Sequence, residues 1–201
     1  MTRIIDEKLS SKDEIGVVNG LAYTEAGGDL LKVEALAVKG SGKLELTGSL
    51  GDVMKESAKI AITLIRKNAE SLGIDPDFYK TKDIHIHFPE GAVPKDGPSA
   101  GVTLVTALAS ELGGYPVIKD VAMTGEVTLR GKVVAIGGLR EKTMAAYRAG
   151  VKTVLVPSDN RQDVARLDDY IKEKMNFIYC DRVEEVLDNA LSVKPSSFSA
   201  V

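Results

Sequence analysis

The sequence predicts an α+β domain in which an antiparallel, strand-rich first part is followed by mixed βα units. Short apolar runs separated by glycine-rich turns dominate the first quarter of the chain. In the second half, strand-like runs alternate with amphipathic segments, which is typical of βα units. No linker-like run separates the two parts, so a single domain is predicted.

Composition sets the bounds of this domain. The 201 residues are 44% hydrophobic, which is enough for a sizeable core. The polar opening and the Pro/Ser-rich ending predict a linker or tail over 1–14, a domain over 15–191 and a disordered tail over 192–201. The net charge of −3 favours neither nucleic acid nor a membrane surface as a partner. One cysteine and no secretory or spanning run predict a cytoplasmic protein.

Hydrophobic periodicity places the individual elements. Strands over 16–24, 30–38 and 43–48 are predicted to form an antiparallel meander. A long helix is predicted over 51–73, where apolar residues recur at helical spacing: Met54, Ala58, Ala61, Ile65 and Leu72. A strand over 83–88 and a helix over 99–112, apolar nearly all round and therefore buried, come next. Further strands are predicted over 121–129, 133–136, 153–157 and 176–180, and helices over 139–150, 159–174 and 182–191.

Two motifs suggest binding sites but favour ordinary structure. The run GSGK, residues 40–43, is similar to part of a phosphate-binding loop, yet Ala37 and Leu44 stand where that motif needs a glycine and a hydroxyl. A turn between strands is predicted instead. His85 and His87 share one face of a strand, but the chain has no third histidine to complete a metal site. Packed or hydrogen-bonded strand histidines are therefore predicted, and no metal.

Ser99 lies in the run PKDGPSAG, residues 94–101. Residues 97–101 match the G-x-S-x-G elbow of hydrolases, but a proline-rich loop precedes Ser99 and both histidines lie upstream of it, so the elbow is excluded. Val102 stands where a Ser-x-x-Lys motif needs lysine. Two interpretations stay open: Ser99 caps the following helix, or free amides at this helix start bind an anion beside it.

A nucleophilic Ser99 needs a base, and a lysine serves only if burial or a nearby positive charge keeps its amine neutral. In the helix predicted over 139–150, Lys142 shares one face with Leu139, Ala146 and Ala149. Lys142 is therefore the candidate base. The alternative is a lysine that extends to solvent from the edge of an apolar stripe.

Two longer runs carry a resemblance to a known family. The segments HIHFPEGAVPKDGPSAG and MTGEVTLRGKVVAIGGLREK resemble the proteolytic domain of Lon, the ATP-dependent serine protease, in its bacterial and mitochondrial form. GVVNGLAYTEAGGDLLKVEA and GSLGDVMKESAKIAI resemble the same domain, so the resemblance covers nearly all of 15–191. Arg140 departs from the lysine that family members often carry at this position.

The resemblance implies a Ser-Lys dyad with Ser99 as nucleophile and Lys142 as general base. It also implies that the Thr124 hydroxyl holds the lysine amine and that Asp96 is an acidic residue beside the dyad. His85 and His87 match positions near the site, without a role as base. The backbone amides of Ser99 and Ala100 are candidate oxyanion donors.

The function expected from the resemblance is a serine endopeptidase that cleaves unfolded or damaged proteins, within a homo-hexamer in the full-length protein. ATP and Mg²⁺ would belong to an ATPase region that this chain lacks, so no cofactor is expected here. Two alternatives are a small-molecule kinase that uses the loop around Ser99 as a phosphate cradle, and an assembly module that is inactive in isolation.

Overall fold

The structure, a computed structural model, describes residues 9–89 and 94–193. The strands in these ranges are β1 (Val17–Thr24), β2 (Gly27–Lys39), β3 (Leu44–Thr47), β4 (Lys82–His87), β5 (Val121–Met123), β6 (Glu126–Val127), β7 (Val133–Val134), β8 (Thr153–Pro157) and β9 (Asn176–Cys180). The helices are α1 (Asp52–Asn68), α2 (Phe78–Thr81), α3 (Gly101–Gly113), α4 (Leu139–Ala149), α5 (Arg161–Ala165), α6 (Asp169–Lys174) and α7 (Val183–Ala190), with a 3₁₀ turn at Ser158–Asn160.

Seven of the described strands form one mixed sheet in the order β3-β4-β2-β1-β5-β8-β9, and β6 pairs with β7 separately. β1 and β2 are an antiparallel hairpin in which Val17 lies opposite Glu34 and Thr24 opposite Gly27. The strands β1, β5, β8 and β9 are parallel, as βα units require. The predicted α+β fold is confirmed.

The predicted antiparallel meander is wrong at its third strand. β4 lies between β2 and β3, antiparallel to β2 and parallel to β3. A parallel pair needs a crossover connection, and α1 with α2 supplies it between β3 and β4. Sequence alone shows three consecutive strand-like runs, so it does not reveal that a later strand separates the second from the third.

The hairpin is buried on both faces, which explains its adjacent apolar residues. Val18 and Val33 belong to the core shared with α1, α3 and α7. Leu21 and Leu30 belong to a second core shared with α4, α5 and α6. Each such side chain contributes about 1.5–3 kcal/mol on burial, and the hairpin is a middle layer between two layers of helices.

The helix predictions have three outcomes. Four residues of the predicted apolar face are buried on α1: Met54, Ala58, Ala61 and Ile65. This helix ends at Asn68, short of the predicted 73, and Leu72 is buried in the turn that follows it. Residues 101–110 of α3 are all buried, as predicted. The single helix predicted over 159–174 is wrong, because Leu167 is buried in the second core and its N–H closes a turn on Val164 O at 3.1 Å. The chain then becomes helical again as α6 after Asp168, whose backbone is not helical (φ −59, ψ 141).

The predicted tails fall mostly outside the described residues, which exclude 1–8 and 194–201. Within 9–14, the Asp13 carboxylate accepts the Lys119 N–H at 2.9 Å, and Glu14 forms a β-bridge with Val117. None of the helices in the described ranges has the length and hydrophobicity needed to cross a membrane.

Candidate active site

A cavity of about 520 Å³ lies where the β1–β2 hairpin, the segment before α3 and the start of α4 meet. Ser99 and Lys142 both line it, together with Thr24 and Asp29 of the hairpin region and Glu126 of β6. This volume is ordinary for a ligand site. The fold therefore brings the two predicted dyad residues, one from the segment before α3 and one from α4, to one cavity.

Ser99 lies two residues before α3, and Ala100 occupies the N-cap position. No side chain caps this helix, so the interpretation of Ser99 as a cap is not supported. The Ser99 backbone is fixed, because its carbonyl accepts the Gly125 N–H at 2.9 Å and the Gly125 carbonyl accepts the Val102 N–H at 3.1 Å. Ser99 consequently lines the cavity from a segment that is hydrogen-bonded to the chain after β5.

Two glycines shape this segment for different reasons. Gly97 has φ +111, a conformation that favours glycine. Gly101 lies at a close approach, since a Cβ there would lie 2.8 Å from Val127 Cγ2 and 3.0 Å from Val127 N. The absence of a side chain at Gly101 therefore lets α3 begin directly against β6.

Lys142 is in the first turn of α4 and is only 3% exposed. Its Nζ donates a hydrogen bond to Thr124 Oγ1 at 3.2 Å, and Thr124 is itself buried at the end of β5. Leu139 and Ala146, on the same helix face, are also buried. The interpretation of Lys142 as a lysine extending to solvent is therefore not supported.

Burial changes the chemistry of the Lys142 amine. Desolvation lowers the pKa of this amine from 10.5 to about 8, because a charged group is less stable away from water. Among the described residues, no carboxylate forms an ion pair with it. A pKa near 8 leaves roughly a tenth of the amine neutral at pH 7 and half at pH 8, so Lys142 can accept a proton.

Ser99 and Lys142 share the cavity, but in the described part of the chain no hydrogen bond joins Ser99 Oγ to Lys142 Nζ. The amine is directed to Thr124 instead. Catalytic hydrogen bonds are often long or unformed without substrate. The Ser99 hydroxyl and the Lys142 amine thus belong to residues of one cavity, but they are not hydrogen-bonded to each other in this structure.

Backbone amides near Ser99 are available to an anion. Among the described residues, the N–H groups of Ser99 and Ala100 have no acceptor, whereas the next N–H, of Gly101, bonds to Pro98 O at 3.2 Å. These two donors precede α3, whose N-terminus carries partial positive charge. An oxyanion or another anion beside Ser99 would be stabilised there.

Asp96 has a structural partner outside the dyad. Its Oδ1 accepts the Met54 N–H at 3.0 Å, so it satisfies one of the free amides at the start of α1. Gly51 makes room for this contact, since a Cβ there would overlap the Asp96 carboxyl group. Asp96 also lines the cavity, and it ties the segment before Ser99 to α1.

The two histidines lie on β4 and share one partner. Thr47 Oγ1 is 2.8 Å from His85 Nε2 and 2.7 Å from His87 Nδ1, and neither ring is among the described residues that line the cavity. Over the described ranges, no group of three or more potential metal ligands occurs. The histidines are hydrogen-bonded strand residues, as the sequence favours.

The GSGK run forms a turn that binds an anion from the chain itself. Asp83 Oδ1 accepts the N–H groups of Ser41, Gly42 and Lys43 at 2.9, 3.1 and 2.9 Å. These bonds lower the pKa of the Asp83 carboxyl, the Lys43 amide contributing most. The predicted turn is therefore confirmed. The amides that would bind a phosphate group already donate to Asp83.

Gly28 is a positioning residue that the sequence did not reveal. A Cβ there would overlap the Glu141 carbonyl and lie 3.0 Å from Lys142 N. The absence of a side chain therefore lets the first turn of α4, with Lys142, pack directly on β2. The sequence shows this glycine only as part of a turn signal; its role depends on a helix more than a hundred residues away.

A comparison with protein families decides the membership of this chain. The model of the Lon protease (S16) C-terminal proteolytic domain matches residues 1–193. The chain belongs to the Lon protease family. Its resemblance to Lon, inferred from motifs, is thus confirmed at the level of the family.

Curated relatives agree with this assignment. Lon protease of Finegoldia magna is 56% identical over 188 residues, which cover 94% of this chain and 24% of the relative. Lon protease of Escherichia coli strain K12 is 53% identical over 194 residues, covering 96% and 25%. Lon protease 1 of Bacillus subtilis strain 168 is 54% identical over 184 residues, covering 92% and 24%. The chain spans about a quarter of the length of these Lon proteins and corresponds to their proteolytic domain.

Proposed function

We propose that this domain is a serine endopeptidase that hydrolyses peptide bonds through an acyl-enzyme, with Ser99 as nucleophile and Lys142 as general base. The observation that carries the proposal is the buried Lys142 amine, with a pKa lowered to about 8, in the same cavity as Ser99. Family membership supports proteolysis, and the geometry supplies candidate residues for it.

In the first half of the reaction, neutral Lys142 accepts the Ser99 proton while Oγ attacks the substrate carbonyl. The free amides of Ser99 and Ala100 then stabilise the tetrahedral oxyanion. The protonated Lys142 amine donates its proton to the leaving amine, and the C–N bond breaks to leave an ester on Ser99. Thr124 accepts a hydrogen bond from the amine and so orients it through these steps.

In the second half, Lys142 is neutral again and accepts a proton from water, which attacks the ester carbonyl. The intermediate collapses, the second peptide product leaves with a free carboxyl group, and Ser99 recovers its proton from Lys142. Each step uses groups of this cavity, and none requires a metal ligand from this chain.

The wider role follows from the same proposal. Unfolded or damaged proteins are the proposed substrates, in a cytoplasmic homo-hexamer in which a separate ATPase region uses ATP and Mg²⁺. This chain would then act alone only on short or unfolded peptides. The alternative of a small-molecule kinase has less support, because the family whose model matches this chain is a protease family. The other glycine-rich turn, at 40–43, offers no phosphate site either, since Asp83 accepts from its amides.

The test is hydrolysis of an unstructured fluorogenic peptide by this chain and by Ser99→Ala, Lys142→Ala and Lys142→Arg. Each variant should lose about 10²- to 10⁴-fold in kcat/KM. Lys142→Arg is the sharpest of these, since a guanidinium keeps the positive charge but does not act as a base. The exposed Lys174 supplies the control Lys174→Arg, which should leave turnover unchanged. Undiminished turnover in any dyad variant would contradict the proposal.

A further inference from the structure

A second concave site, which shares no described lining residue with the cavity of Ser99 and Lys142, lies between the middle of α1 and the start of the edge strand β3. It has a volume of about 130 Å³, and its floor is apolar: Leu44, Ile62, Phe78 and Ile84. Phe78 and Ile84 are buried, whereas Leu44 and Ile62 are half-buried. The volume suits one large apolar side chain and is well below that of a cofactor site. We refer to these four residues as the edge pocket.

Positive charge surrounds the edge pocket. Lys43, Lys59 and Lys82 line it and are exposed, and in the described ranges none of them forms an ion pair. The Arg66 guanidinium lies 3.7 Å from the ring centroid of Tyr79, which also lines the pocket. An acidic partner would find exposed cations around an apolar centre, although Lys43 also attracts the Asp83 carboxylate.

The acidic side chains nearby are already engaged. Asp83 accepts three amides of the 41–43 turn, and Asp77 lies 3.8 Å from Lys80. Glu45 lies 3.9 Å from His85. Five cationic side chains around the pocket outnumber these three carboxylates: Lys43, Lys59, Arg66, Lys80 and Lys82. The local formal charge is thus positive, although the whole chain carries −3.

The backbone beside the pocket is open to a further strand. β3 ends the sheet and pairs only with β4 among the described strands. The carbonyls of Lys43 and Thr47 accept from Ile84 and Phe88 at 2.8 and 3.1 Å. Since alternate residues of a strand turn to opposite neighbours, the N–H and C=O groups of Leu44 and Leu46 face the open side.

We propose that β3 and the edge pocket bind an extended acidic segment of another polypeptide, which adds a strand to the sheet and places one apolar side chain in the pocket. The open edge of β3 would form main-chain hydrogen bonds with the added strand, and the pocket would favour one type of side chain, as in other cases of strand addition. The lysines favour carboxylates and repel basic strands. A polypeptide fits better than nucleic acid or lipid, because only a polypeptide satisfies the edge of β3. This site is independent of the proposed proteolysis.

The probe is a fluorescein-labelled heptapeptide with Phe and Ile among five aspartates, titrated by anisotropy in a Ser99→Ala background so that it is not hydrolysed. Lys43→Glu/Lys59→Glu/Lys82→Glu should weaken binding at least about tenfold. The matched control, Lys12→Glu/Lys132→Glu/Lys174→Glu, reverses three exposed lysines elsewhere and should stay within about twofold. Equal loss in both triple variants, or no binding to the parent, would overturn the proposal.

Two further probes leave the protein unchanged, so the test does not depend on the folding of a variant. In the first probe, Ser replaces Phe and Ile, which removes the apolar side chain that would enter the edge pocket. In the second, methylation of alternate amide nitrogens removes N–H groups that would donate to β3. Both changes should weaken binding. Undiminished binding of either probe would overturn the proposal. So would charge-dependent binding of phosphatidylserine vesicles or a single-stranded oligonucleotide in place of the peptide, or self-association that the first triple variant abolishes.

Discussion

Two glycine-rich turns of this molecule, residues 40–43 and 97–101, contain backbone amides that no helix or strand uses, and they differ in whether another group of the chain accepts from these amides. In the first turn, three amides bind the Asp83 carboxylate of the same chain. In the second, the amides of Ser99 and Ala100 have no acceptor among the described residues, and Ser99 lines a cavity. The same local composition thus gives a closed structural turn in one place and an open candidate site in the other.

The comparison shows that a glycine-rich motif acquires its role from residues distant in sequence. Asp83 reaches the first turn from β4, and Lys142 reaches the cavity beside the second from α4. A carboxylate that fills the amides leaves no place for a substrate, whereas a buried amine beside open amides supplies a base next to an oxyanion site. The second arrangement can support acyl transfer and the first cannot.

The largest effect is expected from removal of the base at the open turn. Lys142→Met keeps the shape of the buried side chain but should reduce peptidase activity about 10²- to 10⁴-fold. The same variant should be more stable at pH 7, by up to about 3 kcal/mol, because a charged amine with a lowered pKa is costly to bury. Peptidase assays and thermal unfolding of one preparation measure both effects.

The stability gain should depend on pH in a defined direction. Folding lowers the pKa of Lys142 from 10.5 to about 8, so the folded protein binds fewer protons than the unfolded chain between these values. The cost of burying the charge is therefore complete below pH 8 and disappears as the pH rises toward 10.5. A gain in Lys142→Met that is constant from pH 7 to 10 would contradict the assigned burial of this amine.

A smaller loss of activity is expected when the base is displaced rather than removed. Gly28→Ala forces the first turn of α4 away from β2, since the new Cβ would overlap the Glu141 carbonyl. We expect kcat/KM to fall about 10- to 100-fold, with a stability loss of about 1–3 kcal/mol. Gly113→Ala is the control, because its Cβ would overlap the Tyr115 ring away from the cavity. Equal activity of the two variants would show that Gly28 does not position Lys142.

The smallest effect on activity is expected at the closed turn. Asp83→Asn weakens the acceptor of three amides and should lower Tm with no change in turnover. The turn amides lower the pKa of Asp83. Its carboxylate therefore stabilises the fold at pH values above the usual pKa of aspartate, and this contribution is lost as the pH falls through the lowered pKa. The Tm difference from the parent should therefore shrink in acid. The exposed Asp159 provides the control Asp159→Asn, which should leave Tm near that of the parent.

Sequence patterns predicted what depends on periodicity and missed what depends on distant contacts. The spacing of Leu139, Lys142 and Ala146 located the buried lysine, because a helix places these residues on one face. The insertion of β4 between β2 and β3, and the contact of Gly28 with α4, depend on packing between segments far apart in the chain. The bonds from the 41–43 turn to Asp83 are of the same kind. No local pattern marks any of them.

The central claim, that Lys142 activates Ser99, is tested most directly by the pH dependence of Ser99 acylation. A fluorophosphonate reagent, with the modified residue identified by mass spectrometry, should label Ser99 at a rate that rises with a midpoint near pH 8, the pKa of the Lys142 amine. Lys142→Met should react at least about 10²-fold more slowly, without this midpoint. Labelling of Ser99 at an unchanged rate in Lys142→Met, or at another residue in the parent, would contradict the account.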